Sequence, residues 1–170
     1  MILLSYEGSP DAQAAIEHAA RLMPGADATV LTIWEPFTDV MARSSAAGMG
    51  LGWWGTEDEM VSAASEQSAL AIATEGASRA TDAGLVASPR VARAGGGLAQ
   101  VILAVAAEVD ADVVVLGTRG LGGVKSLLLG SVSHEVVQHA DRAVLVVPSG
   151  DVAGKRRGWT AHAEAVAGAA

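Results

Sequence analysis

The run Val113-Val114-Val115-Leu116 sets four apolar residues side by side, three of them β-branched, with no polar residue between them. A strand with one face in water alternates polar and apolar side chains, so an unbroken run of this kind needs cover on both faces. Apolar runs at residues 2–5, 29–33, 85–91 and 143–147 join the one at 112–116, and helical patterns separate all five. Alternation of strand and helix predicts an α/β fold, a doubly wound, Rossmann-like sheet of five parallel strands with helices on both faces. Hydrophobic residues make up 51% of the chain, yet it holds one Phe and one Tyr, so the core must be built from aliphatic side chains. Such cores suit parallel sheets.

The helices carry their own punctuation. Ser9-Pro10-Asp11 reads as an N-cap followed by proline at the first helical position, and Met23-Pro24-Gly25 as the stop. The expected inward face of this helix is Ala14, Ala15, Ala19 and Leu22. A capping box at Thr56-Glu57-Asp58-Glu59 opens a second helix that runs to Asp82-Ala83-Gly84. A third follows Gly97 and ends near Asp110. Residues 35–55 hold Gly48, Gly50, Gly52 and Gly55 with Met41, Met49, Trp53 and Trp54, too long and glycine-rich for an ordinary βα connection, and read as a mobile flap. One domain is expected over 1–149, with 150–170 as a flexible tail.

Beyond the fourth strand the residues carry chemistry. Val113 to Leu116 opens into Gly117-Thr118-Arg119-Gly120, and nine residues later comes Gly130-Ser131. Glycines let backbone N–H groups approach an anion, and a helix starting at Ser131 would offer the unpaired amides of Ser131, Val132 and Ser133 at the positive end of its dipole. A Walker A loop ending in Lys125-Ser126 would need glycines where Arg119 and Val124 stand, so this is a phosphate loop of another kind. The Ser131 hydroxyl can cap the helix or meet a phosphate. Arg119 can fork onto phosphate oxygens or remain a solvated loop charge, and Lys125 reads as solvated. Glu7, at the end of the first strand, can accept from ribose hydroxyls or pair with a neighbouring cation.

At these residues the chain resembles the universal stress protein family, in its ATP-binding branch, whose diagnostic loop is the spacing G-x2-G-x9-G-[ST]. The resemblance extends to Ile2-Leu3-Leu4-Ser5-Tyr6-Glu7-Gly8-Ser9, to Gly97-Leu98-Ala99-Gln100-Val101-Ile102, and to the closing Ala143-Val144-Leu145-Val146-Val147. Glu7 stands where the family usually has Asp, and Ala143 where it usually has Pro. The resemblance implies the strand order 3-2-1-4-5, which reverses between strands 1 and 4 and brings Glu7-Gly8-Ser9 beside Gly117-Thr118-Arg119-Gly120 at the switch point. It also implies backbone around Ile33 and Leu116 holding adenine, ATP with Mg as the cofactor, and a homodimer paired through residues 143–147. The expected role is a regulatory or stress-response module with at most slow ATP hydrolysis. The contrasting reading is a dimeric interaction protein of the same fold that binds no nucleotide; a third is an enzyme acting on a nucleotide or another metabolite.

Other classes are disfavoured. A formal charge of -8 opposes non-specific nucleic-acid binding, and the absence of cysteine excludes thiolate zinc sites and disulfides. His18, His134, His139 and His162 show neither metal-ligand nor triad spacing and read as surface or helix-end residues. No catalytic or metal-binding residue is assigned. Trp34, Trp53 or Trp54 could cover an adenine or only seal an apolar edge. With apolar runs too short to span a bilayer and no basic leader before Glu7, the expected location is the cytoplasm.

Overall fold

Ile2–Ser5 (β1), Asp27–Trp34 (β2), Val86–Arg93 (β3), Val113–Gly117 (β4) and Ala143–Val147 (β5) form one sheet in the order β3-β2-β1-β4-β5. All neighbours pair parallel; Leu3 stands opposite Thr29 on one side and Val114 on the other. The computed structural model describes residues 1–35, 57–120 and 129–157, with the backbone alone over 57–62. Helices α1 (Pro10–Leu22), α2 (Glu57–Asp82), α3 (Leu98–Glu108) and α4 (Ser131–His139) connect the strands. The flap expected at 35–55 lies, apart from Glu35, outside the described residues. Trp53, Trp54, Thr56, Lys125 and 158–170 lie outside them too.

The unbroken apolar runs are explained by two separate cores. Ile2, Leu4, Tyr6, Val115 and Val147 pack against Ala12, Ala15, Ile16 and Ala19 of α1 and Ala77 and Ala80 of α2. Leu3, Leu31, Val114 and Leu116 point the other way, onto Ala99, Ile102, Val105 and Ala106 of α3 and Val136 of α4. Successive residues of β1 and β4 therefore serve opposite layers, and neither face can be polar. Alanine dominates the helical faces because a small side chain lets a helix lie close on a sheet of valines and leucines.

Two local expectations are corrected. Leu22 is 64% exposed, and the inward face of α1 runs instead through Ala12, Ala15, Ile16, Ala19 and Ala20. That stripe continues to Met23, which packs against the first core, and each residue turns the helix by about 100°, so Leu22 points away. Ser131 does not cap α4. Gly130 occupies the cap position, and Ser131 is the first helical residue. Ser9 does cap α1, accepting from the Ala12 N–H at 3.2 Å. Beyond β5 the chain turns at Ser149 and continues as a helix over 150–157, with Val152 buried.

Candidate functional site

The sheet order reverses between β1 and β4, so the connections leaving their carboxyl ends part to opposite layers and open a crevice. Glu7, Gly8 and Ser9 form one wall. Gly8 holds φ +83°, a conformation natural to glycine, and turns the chain from β1 into α1. Thr118, Arg119 and Gly120 form the other wall. The Ser9 hydroxyl lies 3.4 Å from the Arg119 carbonyl, and a β-carbon on Gly120 would sit 3.6 Å from Glu7 Oε1. The two segments that the sequence spacing singled out are therefore brought together.

Behind the second wall stands the amino end of α4. The Gly130 N–H donates to the Thr118 carbonyl at 2.8 Å, which fastens the helix start to the loop, and His134 N–H donates to the Gly130 carbonyl at 2.8 Å. Since that is the first helical bond, the amides of Ser131, Val132 and Ser133 precede it and have no carbonyl of their own helix to meet. The Ser131 side chain is exposed there, freed from a capping role. Val132 packs partly against the second core, alongside Ile33 and the buried Leu116. The buried Ser133 hydroxyl donates to the Gly117 carbonyl at 2.8 Å, so its side chain ties α4 to β4 while its amide remains at the helix end.

Two of the loop glycines do something other than admit an anion. A β-carbon on Gly117 would meet Asp11 Cβ at 2.7 Å and the Asp11 carbonyl carbon at 2.8 Å, so Gly117 is where β4 and α1 touch. One on Gly130 would lie 3.0 Å from the Thr118 carbonyl oxygen and 3.5 Å from Arg119 Cα. It points toward the backbone of residues 118 and 119. Gly120 alone of the three has its β-carbon position at ordinary contact distance, facing Glu7.

Glu7 is the electrostatic oddity of the crevice. Its Oε1 is buried without a hydrogen-bond partner among the described residues. Burial pushes the carboxyl above its ordinary range and the nearby Asp11 charge adds to this, against hydrogen bonds from Ser9 and from Glu7's own backbone. A buried acceptor left unpaired costs free energy in the absence of a donor, and a ligand hydroxyl would supply one. Among the described residues no cation pairs with Glu7; Arg119 lies by Asp11, with Nε 3.8 Å from Oδ2.

Asp11 belongs in sequence to the Ser9-Pro10-Asp11 helix start, and nothing in its spacing marks it as part of the site. It is buried and takes a hydrogen bond from the Thr118 hydroxyl. Burial would raise its carboxyl, but hydrogen bonds from Ser149 and Thr118, and the Arg119 charge, hold it below its ordinary range. Trp34 ends β2, with its carbonyl accepting from the Ala94 N–H at 2.8 Å. His18 contacts the Ala14 carbonyl of its own helix, and His134 and His139 are exposed on α4. Among the described residues no group of three His, Cys, Asp or Glu could hold a metal ion, and no helix is long and apolar enough to cross a membrane.

A family model described as the universal stress protein family matches residues 1–148. The "Universal stress protein in QAH/OAS sulfhydrylase 3'region" of Thermus aquaticus is 34% identical over 148 residues, 86% of this chain and 96% of that one. Among solved structures, hypothetical protein MJ0577 superposes with a TM-score of 0.65 at 19% identity, over 86% of this chain and 94% of that one. A universal stress protein in complex with cAMP gives 0.57 at 22%, over 87% and 95%. The universal stress protein from Archaeoglobus fulgidus in complex with dAMP gives 0.54 at 22%, over 86% and 95%. At these identities the structures establish the shared fold.

Proposed function

This chain belongs to the universal stress protein family, and from that premise we propose that its crevice binds an adenine nucleotide, with Mg·ATP as the ligand to test first. The protein then acts as a ligand-dependent regulatory module in the cytoplasm. The observation that carries this reading is the orphaned Glu7 Oε1 at the end of β1, facing Gly120 across a crevice whose far side is the open amide end of α4. A sugar hydroxyl supplies the missing donor. The amides of Ser131, Val132 and Ser133 receive the phosphates, and backbone near Ile33 and Leu116 meets the base. Relatives in complex with cAMP and dAMP agree with an adenine ligand. Magnesium would enter on the phosphate oxygens, since the described residues offer it no cluster of carboxylates. Among the described residues no side chain is assigned as a base for an attacking water, and the reading is binding with at most slow hydrolysis.

Acid extraction of the purified protein is expected to release adenine nucleotide, and calorimetry is expected to show Mg·ATP binding. Glu7→Ala should weaken ATP by about 1 kcal/mol, the net worth of one hydrogen bond. Glu7→Asp, the residue usual in the family, should keep or improve the affinity. The penalty of Glu7→Ala should be smaller for 2′-deoxy-ATP. Equal penalties for both nucleotides would remove Glu7 from that hydroxyl, and neither extraction nor titration finding nucleotide would favour an interaction protein of the same fold.

The two sheet edges differ in a way that favours a homodimer through β5. β3 has Pro89 in its middle, which offers no N–H, and the charges of Arg90 and Arg93. β5 is Ala143-Val144-Leu145-Val146-Val147, without a charge or proline until Pro148. Leu145 leans on the α1/α2 core and Val144 and Val146 on the α3/α4 core. Light scattering should give the mass of two chains at micromolar concentration. Leu145→Lys and Val146→Lys, checked for fold by circular dichroism, should tell which layer meets the partner; a wild-type mass of one chain would defeat the dimer.

A further inference from the structure

Arg119 lies in the glycine loop, where its sequence position offers it either to phosphate oxygens or to solvent. In the structure its guanidinium is drawn instead toward the first turn of α1, with Nε 3.8 Å from Asp11 Oδ2. Asp11 is itself held fast. It is 5% exposed, it takes the Thr118 hydroxyl, and it is hydrogen-bonded by Ser149 from beyond β5. Gly117, without a side chain, lets Asp11 come this close, since a β-carbon there would lie 2.7 Å from Asp11 Cβ. The carboxylate is thus part of the packing between α1, β4 and the chain after β5, and cannot withdraw easily from Arg119. A cation already paired to a buried carboxylate has little charge left for a second anion. The Glu7 carboxylate, beside Gly120, adds negative potential on the same side of the loop.

We propose that Asp11 determines the phosphate-number preference of the crevice by holding Arg119 off the phosphate chain. Phosphates are then met by backbone N–H groups, and the crevice gains little from the second and third phosphates of ATP. Asp11 is a specificity-determining residue that acts through Arg119. The proposal rests on the adenine-nucleotide reading above.

Its test is a double-mutant cycle read as the ratio of AMP to ATP dissociation constants, by calorimetry in excess Mg, for wild type, Asp11→Asn, Arg119→Gln and the double variant. Asparagine keeps an acceptor for Thr118 but removes the charge. In the wild type the ratio should lie within about threefold of unity. Asp11→Asn should tighten ATP relative to AMP by about tenfold, the size of one charge-assisted hydrogen bond. Arg119→Gln alone should leave the ratio unmoved, and in the double variant it should cancel the gain. A purely structural effect of Asp11→Asn would change both nucleotides alike, and a folded Asp11→Asn whose ratio stays at the wild-type value overturns the proposal. Should Asp11→Asn fold too poorly to titrate, Arg119→Gln decides: a selective tenfold loss of ATP would mean that Arg119 meets phosphate despite Asp11. Wild-type protein that binds neither nucleotide overturns the adenine reading and this proposal together, whereas binding with the wrong pattern across the variants overturns this proposal alone.

Discussion

Gly117→Val is expected to cost about 3 kcal/mol of folding stability, at the upper end of what overpacking usually costs. A β-carbon alone would fall 2.7 Å from Asp11 Cβ, 2.8 Å from the Asp11 carbonyl carbon and 3.0 Å from the Ala12 nitrogen. Two of these atoms are backbone, so no rotamer change relieves the clash and α1 must lift from β4. The displacement would also pull Asp11 from Thr118 and loosen the loop that forms the crevice wall. Chemical denaturation of wild type and variant measures the loss. A cost under about 1 kcal/mol, within the ordinary range of surface substitutions and small repacking, would show that helix and strand are not pressed together there.

Gly130→Val should instead remove nucleotide binding, by about a hundredfold or more, a loss of roughly 2.7 kcal/mol. Gly130 has φ −63° and ψ 156°, a backbone conformation valine adopts readily, so the start of α4 carries no strain from the substitution. The new side chain meets the Thr118 carbonyl 3.0 Å from its β-carbon and Arg119 Cα at 3.5 Å. It therefore wedges the loop away from the helix, and the 2.8 Å bond from Gly130 N–H to Thr118 is lost. The amides of Ser131, Val132 and Ser133 then no longer share one wall with Gly120. Titration with Mg·ATP, beside a thermal melt, separates this from unfolding. Equal affinity in the two proteins would sink the assignment of this loop to phosphate.

Sequence spacing says that glycine is required without saying which neighbour requires it. Here Gly117 answers to α1 and Gly130 to the 118–119 backbone, while Gly120 faces Glu7. Ser133 shows the same ambiguity: its position in the motif is that of a ligand contact, yet its hydroxyl is spent on the Gly117 carbonyl. Asp11 and Ser149 carried no signal, because residues 11, 118 and 149 meet only after all four crossovers of the sheet. Gly76, in the middle of α2, reads as a plain weakness in a helix. It is there because the Tyr6 ring lies so close that a β-carbon would come within 2.5 Å of it.

What the amino-acid order determined by itself is the set of elements and their layering. Unbroken apolar strands demand cover on both faces, Ser9-Pro10 starts a helix through its own local hydrogen bond, and these effects act over a few residues, so they are legible along the chain. The strand order came from a likeness to known proteins, and the structure bears it out. What only the tertiary structure decided is the direction of each charged group at the crevice. Arg119 turns to Asp11 and Glu7 is left with an unpaired oxygen because the packing of α1 on β4 brings one carboxylate within reach of the guanidinium and leaves the other facing a glycine. Electrostatic partners are chosen by distance in space and by exclusion from water, and both depend on contacts between residues more than a hundred positions apart.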